Sequence, residues 1–403
     1  MIVQEGINQD KIQEMNKALL LNLIREQEVC SRARLSQLSG LNKATITYLV
    51  NDFIQAKCVD ETGLISTGKG RRSIGITLSD EFYYVIGIRL ARTYFKIGLF
   101  NLRGELTAEK RIDIGSDILP GNVVNRIADE IQKAIEAKGN SRKLLSIGMA
   151  IPGPFIKNKG RIAVLTGRSG FEEIEFKTEL EKRFNTSIIV EHDANAGAFA
   201  QLWYDREIEK EKSLIYVAAG EGIGAGIIID GSIIRGELGT AGEIGHMTID
   251  FNGEQCECGN KGCLEKYCSV LALKRSIVQS KKRKYNLSQI KQMIADNDSQ
   301  AVIVYRKACC FLGYGIVNVV NSFNPSTIIL GDELSHIEST IMLEEINSVL
   351  EKRLLKEVYQ NLSVKISGAV RDSVLHGIGA MCLEHAFSNY SIFFKIEREK
   401  VPM

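Results

Sequence analysis

From Tyr83 onward, short apolar runs alternate with longer segments of helical periodicity. Strands are predicted at 83–88, 95–100, 144–151, 188–191, 214–218 and 327–330, and helices at 121–138, 174–184, 298–321 and 372–386. This alternation is typical of an α/β protein in which helices cover the faces of sheets. A change of pattern around 185–212 predicts two lobes, and a cleft between lobes is where a ligand is expected.

The first eighty residues follow a different pattern. Apolar residues at helical spacing predict a helix over 8–27. A short helix over 31–38, with Ser31 as its cap, precedes a second one over 43–54. The turn between these two contains Gly40, as in a helix-turn-helix.

A hairpin-like segment at 58–78 comes next, and its tip at 68–72 reads Gly-Lys-Gly-Arg-Arg. Residues 31–72 hold seven Lys or Arg and three acids, a difference of +4, whereas the whole chain carries only +2. A local basic patch of this kind favours contact with DNA phosphates. The alternative is a small helical domain with a solvated charged loop. The candidate DNA contacts are Lys43, Thr45, Thr47, Tyr48, Lys69, Arg71 and Arg72.

The glycine-rich run at 220–226 superficially offers a dinucleotide fingerprint. A Rossmann loop must open a helix, whereas here an apolar strand at 227–229 follows. A glycine loop between two strands instead resembles the phosphate clamp of actin-like and sugar-kinase ATPases.

His246 is followed by Cys256, Cys258 and Cys263. Three thiolates and an imidazole suit tetrahedral zinc, and four protein ligands leave no open position, so a structural zinc ion is predicted. The alternative is four reduced, buried residues without a metal. The six other cysteines are scattered and are expected to be small core residues.

Two carboxylates frame this cluster, Glu243 before it and Glu265 after it, and a third, Asp193, follows a predicted strand beside His192. Each alone is more often a surface group or a helix cap. Together in an α/β cleft they predict a sugar site, because polyol hydroxyls need strong acceptors.

These features together resemble the ROK family of bacterial sugar kinases and sugar-responsive repressors, over nearly the whole chain. The resemblance rests on the motifs Ile-Pro-Gly-Pro at 151–154, the glycine run, Ala-Gly-Glu-Ile-Gly-His at 241–246, the cysteine cluster and Asn-Pro at 324–325. The N-terminal segment is similar to that of the repressor branch, and several motifs are most similar to Gram-positive xylose repressors.

The resemblance implies a winged helix-turn-helix over 1–80 and a kinase-like sugar-binding domain over 81–403. Its two lobes would cover about 81–190 with the C-terminal helix, and 191–370. By the same resemblance Asp193, Glu243 and Glu265 hold sugar hydroxyls, and His246 binds zinc. His192 replaces the asparagine that is usual in the family, so the identity of the sugar is left open, with xylose as the leading candidate.

The kinases of the family begin this domain with Asp-x-Gly-Gly-Thr, whereas the corresponding stretch here runs from Arg89 to Thr93 with Arg92 in place of a glycine. Glu221 stands where the kinases place a threonine near the phosphates. A carboxylate close to polyphosphate is repulsive, so a sugar sensor without phosphotransfer activity is favoured. The alternative is an active sugar kinase in which Arg89 and Arg92 pair with phosphate.

The resulting expectation is a sugar-responsive transcription regulator, a repressor by family resemblance. Its partners would be double-stranded operator DNA and a monosaccharide, and two-fold operators predict a homodimer or a higher homo-oligomer. No signal segment or run of about 20 apolar residues is evident in the sequence, so no membrane is expected. Nine cysteines without an export signal indicate the cytoplasm.

Overall fold

A computed structural model describes residues 8–66, 72–115, 118–139, 141–156, 160–163, 170–208 and 213–395. It begins with helices α1 (Gln9–Gln27), α2 (Arg32–Ser39) and α3 (Lys43–Gln55), then strands β1 (Val59–Ser66) and β2 (Arg72–Leu78). Ser31 caps α2, and Gly40 ends it in the left-handed conformation at φ 72°. The two strands pair antiparallel. The helix-turn-helix and the hairpin therefore form as predicted, while Lys69 and Arg71 of the tip lie outside the described residues.

The first lobe is built on a five-stranded sheet in the order β5-β4-β3-β6-β9. Its strands are β3 (Tyr83–Leu90), β4 (Tyr94–Asn101), β5 (Leu106–Asp113), β6 (Lys143–Ile151) and β9 (Ser187–His192). Strands β3 to β5 form an antiparallel meander, and β3, β6 and β9 run parallel. Helices α4 (Pro120–Lys138) and α5 (Phe176–Glu181) contribute to the buried cluster on one face, near the short pair β7 (Phe155–Ile156) and β8 (Arg161–Ile162).

The second lobe has a five-stranded sheet in the order β12-β11-β10-β13-β14. Its strands are β10 (Leu214–Ala219), β11 (Ile223–Ile229), β12 (Ser232–Ile233), β13 (Thr327–Gly331) and β14 (Ser363–Ile366). Its helices are α7 (Glu265–Cys268), α8 (Val270–Lys281), α9 (Leu287–Ala295), α10 (Ser299–Phe323), α11 (Ser339–Arg353) and α12 (Lys356–Gln360). The predicted α/β architecture of two sheets covered by helices is confirmed.

Two helices cross between the lobes, α6 (Asp193–Tyr204) and α13 (Ser373–Ser388), and the short α14 (Ile392–Lys395) follows them. Helix α6 packs on the second sheet and α13 on the first, and the two helices pack on each other. A Cβ added to Gly377 of α13 would lie 1.8 Å from the carbonyl oxygen of Ala196 in α6. The lobes are therefore joined through a backbone-to-backbone helix contact that a glycine makes possible.

The winged helix-turn-helix shares a hydrophobic cluster with the kinase-like domain. Phe53 of α3 lies 5.3 Å from the ring of Tyr390, and the hydroxyl of Tyr83 in β3 donates to the carbonyl of Ala56 at 2.7 Å. Leu20, Leu35 and other buried residues of the first helices belong to the same cluster as these aromatic residues. The N-terminal segment of three helices and a hairpin is thus packed directly on the rest of the chain.

Three local predictions are corrected. Strand β5 was not predicted, because its residues are mostly charged and exposed, as suits the edge of a sheet. The helix expected over 174–184 is limited to α5. The glycine run is a turn only at 220–222, since Gly224 and Gly226 already lie in β11.

Helix α10 also corrects the expectation that no segment is apolar enough to cross a membrane. It is 25 residues long, and its most apolar window has a mean hydropathy of 1.3. Half of that window is buried in the protein, and Tyr305, Leu312 and Ile316 belong to the core of the second lobe. One such helix is weak evidence for a membrane span, because a buried core helix has the same length and composition.

The helix crossing leads to a stability prediction. Gly377→Ala should lower the free energy of unfolding by about 1–3 kcal/mol, because the added methyl group meets a backbone carbonyl that cannot rotate away. Gly121→Ala in α4 is the matched control, since nothing lies within 4 Å of its added Cβ. Urea unfolding measures both variants. Equal stability of the two would contradict the close contact of α6 and α13.

Candidate functional site

The cleft between the lobes lies where several strands end. Its walls come from the end of β3, the loop after β6, the junction of β9 and α6, the turn between β10 and β11, and the residues after β13. In open α/β sheets, ligands bind beyond the carboxyl ends of strands. The cleft is lined by six carboxyl groups, Asp193, Glu221, Glu243, Glu265, Asp332 and Glu333, and by two arginines, Arg89 and Arg92.

His192 ends β9, and Asp193 begins α6. The Nε2 atom of His192 lies 3.3 Å from Oδ1 of Asp193 and 3.7 Å from Oε1 of Glu243. Burial raises the pKa of Glu243 to about 7 and also raises the pKa of Asp193. The nearby His192 acts in the opposite direction on both pKa values because its positive charge favours the ionised carboxylates. Oε1 of Glu243 is buried and has no hydrogen-bond partner among the described residues. Three of the predicted sugar-site residues thus meet around a buried acceptor atom.

Glu265, the fourth, lies at the start of α7 and is almost fully buried. One oxygen accepts a hydrogen bond from Nη2 of Arg92 at 2.8 Å, and the other accepts from the backbone N–H of Ile223 at 3.1 Å. Arg92 therefore reaches across the cleft from the first lobe to the same carboxylate that the sequence assigns to a sugar.

Arg89 is enclosed by carboxylates. It forms an ion pair with Asp332 at 2.6 Å and with Asp372, the cap of α13, at 3.0 Å. Lys96 lies 2.7 Å from the other oxygen of Asp372. Burial alone would raise the pKa of Asp372, but Arg89 and Lys96 outweigh this effect and hold the pKa well below its usual range. The cation at the end of β3 is thus neutralised by carboxylates of the protein itself.

Two further hydrogen bonds close the cleft. Thr93 donates to Glu221 at 2.7 Å, and the Tyr94 hydroxyl donates to Glu333 at 2.8 Å. The loop after β3 is thereby tied to the turn after β10 and to the end of β13. The enclosed volume is only about 50 Å³, compared with the ~300 Å³ or more of ordinary ligand pockets. In this conformation a sugar can enter only if side chains or lobes move.

The predicted metal ligands His246, Cys256, Cys258 and Cys263 come together, with ligand atoms all within 4.8 Å of one another. The Cys258 and Cys263 sulfurs are 3.7 Å apart, and the Cys256 sulfur lies 3.7 Å from Nδ1 of His246. Zinc–sulfur bonds of about 2.3 Å in a tetrahedron place two sulfurs about 3.8 Å apart. The donor set and its spacing therefore fit a tetrahedral ion. All nine cysteines are free thiols.

The candidate DNA-binding face lies on α3. Lys43, Thr47 and Tyr48 are exposed, Tyr48 by 61%, and Thr45 is half-buried beside the cap Asn42. Arg72 at the start of β2 is exposed as well. These positions stay predictions.

Sequence reasoning missed a neighbouring group on this face and several acids in the cleft. Arg32 of α2 donates to Asn51 of α3 at 3.3 Å and pairs with Glu61 at 2.8 Å.

In the cleft, Asp332 and Glu333 were not singled out, although they directly follow a predicted strand. The rule that ligands bind beyond strand ends could have found them. Asp372 caps a helix, and no sequence signal links it to Arg89.

These features define a two-lobed protein of the sugar-kinase type that is preceded by three helices and a two-stranded hairpin. Residues 85–385 match the ROK family, and the chain belongs to that family. It is 32% identical over 380 residues to the xylose repressor of Bacillus spizizenii strain W23, covering 94% of this chain and 97% of that protein. It is 29% identical over 393 residues to the N-acetylglucosamine repressor of Escherichia coli O6:H1, covering 93% of each.

A solved structure is similar over most of the chain. The crystal structure of a ROK family transcriptional regulator, described as a homolog of the E. coli MLC protein, has a TM-score of 0.79 and 25% sequence identity. The alignment covers 95% of this chain and 99% of that one. The family resemblance inferred from the motifs is confirmed.

The ion pairs of the cleft lead to a prediction. Arg89→Met should lower the free energy of unfolding by about 3–5 kcal/mol, because it leaves buried carboxylates without their main counter-charge. Lys182→Met removes an exposed ion pair with Glu179 and should leave stability unchanged. Guanidinium unfolding at pH 7 compares the two. A small effect of Arg89→Met would mean that Asp332 and Asp372 do not depend on it.

Proposed function

We propose that this chain is a transcriptional repressor that binds operator DNA through its winged helix-turn-helix and is released by a monosaccharide in the cleft. The observation that carries the proposal is the set of ion pairs at the loop that corresponds to the phosphate-binding loop of the kinases. Arg89 and Arg92 pair with Asp332, Asp372 and Glu265, so that these cations are not available to a nucleotide. The names of the relatives, a xylose repressor and an N-acetylglucosamine repressor, support the same function.

The charge of the cleft argues against a kinase. Its lining contains six carboxyl groups against two arginines, and one of these carboxyl groups, Glu221, corresponds by family resemblance to a threonine that kinases place near the phosphates. Phosphoryl transfer depends on positive groups around the phosphates, and a carboxylate there is repulsive. The alternative of an active sugar kinase is therefore disfavoured.

The same charge favours a neutral sugar. Carboxylates accept hydrogen bonds from hydroxyl groups and provide no donor for a phosphate. Asp193, Glu243 and Glu265 would hold the ring hydroxyls, and His192 would contact the same ring from its place between two of these acids. Xylose is the first sugar to test, because a 32% identical relative is named for it.

Release from DNA would follow from a change in the cleft. The sugar would compete with Arg92, a residue of the first lobe, for Glu265 of the second lobe and needs more than the volume of about 50 Å³. We therefore infer that binding changes the distance between the lobes. In a homodimer or a larger oligomer, this change alters the separation of two recognition helices, which must be about 34 Å apart to fit one face of DNA. The ligand shifts the equilibrium because it binds one of the two geometries better. Operator DNA as the partner supports the cytoplasm as the location of this activity.

We also propose that the cysteine cluster holds a structural zinc ion. Its four ligands would be His246, Cys256, Cys258 and Cys263. The bound ion would fix the conformation of the segment between Glu243 and Glu265 and would thereby orient these two carboxylates in the cleft. Asp193 is held separately by α6. Zinc here would carry no chemical step.

The test of the function uses the full chain and the DNA upstream of its own coding sequence. A mobility-shift titration should give operator binding that weakens with rising salt and is reversed by one sugar from a panel of pentoses, hexoses and hexosamines. An ADP-release assay with ATP, magnesium and the same sugars should give no turnover. Sugar-dependent ADP release that Asp193→Asn abolishes would replace the proposal with the kinase.

Two variants separate the DNA contact from the sugar contact. Tyr48→Ala should weaken the operator complex by about 1–3 kcal/mol while sugar affinity is kept, because Tyr48 is exposed on α3. Glu243→Gln should keep operator binding and lose the sugar response. Lys133→Ala changes an exposed cation of the first lobe and is the control for both.

Zinc removal gives a separate prediction. Cys258→Ser should lose about one zinc per chain, measured by elemental analysis of purified protein, and should weaken sugar binding at least tenfold because Glu243 and Glu265 lose their anchor. Cys310→Ser, outside the cluster, should keep both the metal and the affinity. Full sugar affinity in a zinc-free Cys258→Ser protein would contradict the anchoring role.

A further inference from the structure

Helix α6 reaches from the candidate sugar site to the DNA-binding segment. Its first residue, Asp193, lines the cleft, and its last residues, Trp203 and Tyr204, lie against α1 and the turn after β4. At 1.5 Å per residue, twelve residues span about 18 Å. A single helix therefore has one end in each of the two functional regions.

The helix is held tightly on two sides. Ala196 meets Gly377 of α13, as described above, and a Cβ on Gly226 of β11 would lie 2.2 Å from the carbonyl oxygen of Ala194. Near the far end, the Gln201 side-chain amide donates to Ser373 at 3.1 Å. Small residues leave no free space along the helix, so a displacement of its first turn is passed to its last turn as a rigid-body movement.

The far end is joined to α1 through Arg25. Its guanidinium lies 3.9 Å above the ring of Trp203, and Nη1 donates to the Trp203 carbonyl at 3.0 Å. The Arg25 side chain is only 12% exposed. A stacked, charged and largely desolvated contact is orientation-dependent, so movement of Trp203 changes the position that α1 prefers.

Trp203 also belongs to the aromatic group beneath the recognition helix. Its ring stacks on Phe387 of α13 at 6.3 Å between centroids. Tyr390, just beyond α13, lies 5.3 Å from Phe53 of α3. The two helices that start at the cleft therefore end on α1 and α3, the elements that position the DNA-binding face.

We propose that the Arg25–Trp203 contact is the positioning contact through which a sugar at the start of α6 moves the helix-turn-helix. The inference rests on the proposed function and assigns its coupling to named residues. Neither residue lines the cleft or belongs to the candidate DNA contacts, so a change in coupling can be separated from a change in either binding site.

A second ion pair at the same junction provides the matched control. Arg206 and Glu28 also join the end of α6 to the end of α1, but their side chains are 71% and 72% exposed. Water and salt screen such a pair, so it holds the helices in no particular orientation.

The experiment compares the full-length wild type with Arg25→Met and Arg206→Met. Calorimetry measures sugar affinity, and fluorescence anisotropy measures operator affinity with and without saturating sugar. The wild type should show a 5- to 150-fold loss of operator affinity on sugar binding, the usual range of allosteric coupling. In Arg25→Met this ratio should fall below about twofold, while each separate affinity stays within about threefold of the wild type. Arg206→Met should match the wild type.

Trp203 is the single tryptophan of the chain, so its emission reports on this junction directly. Saturating sugar should change the emission of the wild type although Asp193 lies ten residues, about 15 Å, away along α6. Arg25→Lys, which keeps the charge but lacks the planar group, should fold like the wild type and give an intermediate coupling ratio. This variant keeps the inference testable if Arg25→Met is unstable in a thermal melt.

The outcomes are distinguishable. Normal coupling in Arg25→Met and Arg25→Lys, or unchanged Trp203 emission in a wild type that does release DNA, would overturn the role of this contact and leave the proposed function in place. A wild type that binds no operator or ignores every sugar would instead remove the proposed function.

Discussion

The backbone contact between α6 and α13 is the constraint on which the other features depend. Gly377 lets the two helices approach until the carbonyl of Ala196 is within van der Waals distance, and each helix also covers one sheet. Because both helices begin at the cleft, their packing decides where Asp193 and Asp372 lie. Because both also end on the winged helix-turn-helix, the same packing decides how that segment is oriented. The candidate sugar site and the candidate DNA-binding face are thus parts of one packed unit.

Electrostatics then separates this cleft from that of a kinase. A kinase neutralises polyphosphate with metal ions and cations, and these groups must remain free until the nucleotide arrives. Here Arg89 and Arg92 neutralise the carboxylates of the protein itself. Both pairs join the two lobes, so they hold the cleft narrow. A ligand that competes for one of these carboxylates acts on lobe closure as well as on binding, which is what a sensor requires.

Much of the fold could be predicted because its signals are local. Apolar runs and turn residues located most strands of both sheets, and Ser31 and Gly40 marked the ends of α2. Edge strand β5 was missed because one exposed, charged strand has no hydrophobic pattern to detect. Gly224 and Gly226 were misassigned to a loop, since glycine favours turns in sequence statistics. In β11 they instead make room for α6, a partner that sequence alone does not reveal.

The sequence by itself determined the candidate groups: one histidine with three cysteines, three of the six acids of the cleft and the cations of the helix-turn-helix, because chemical type and spacing are written in the chain. Only the tertiary structure decided how the charges pair. Arg89 meets Asp332 and Asp372 from positions 243 and 283 residues away, and Arg92 meets Glu265 over 173 residues. Ion pairing depends on distance and on desolvation, and both arise only when the two lobes fold against each other.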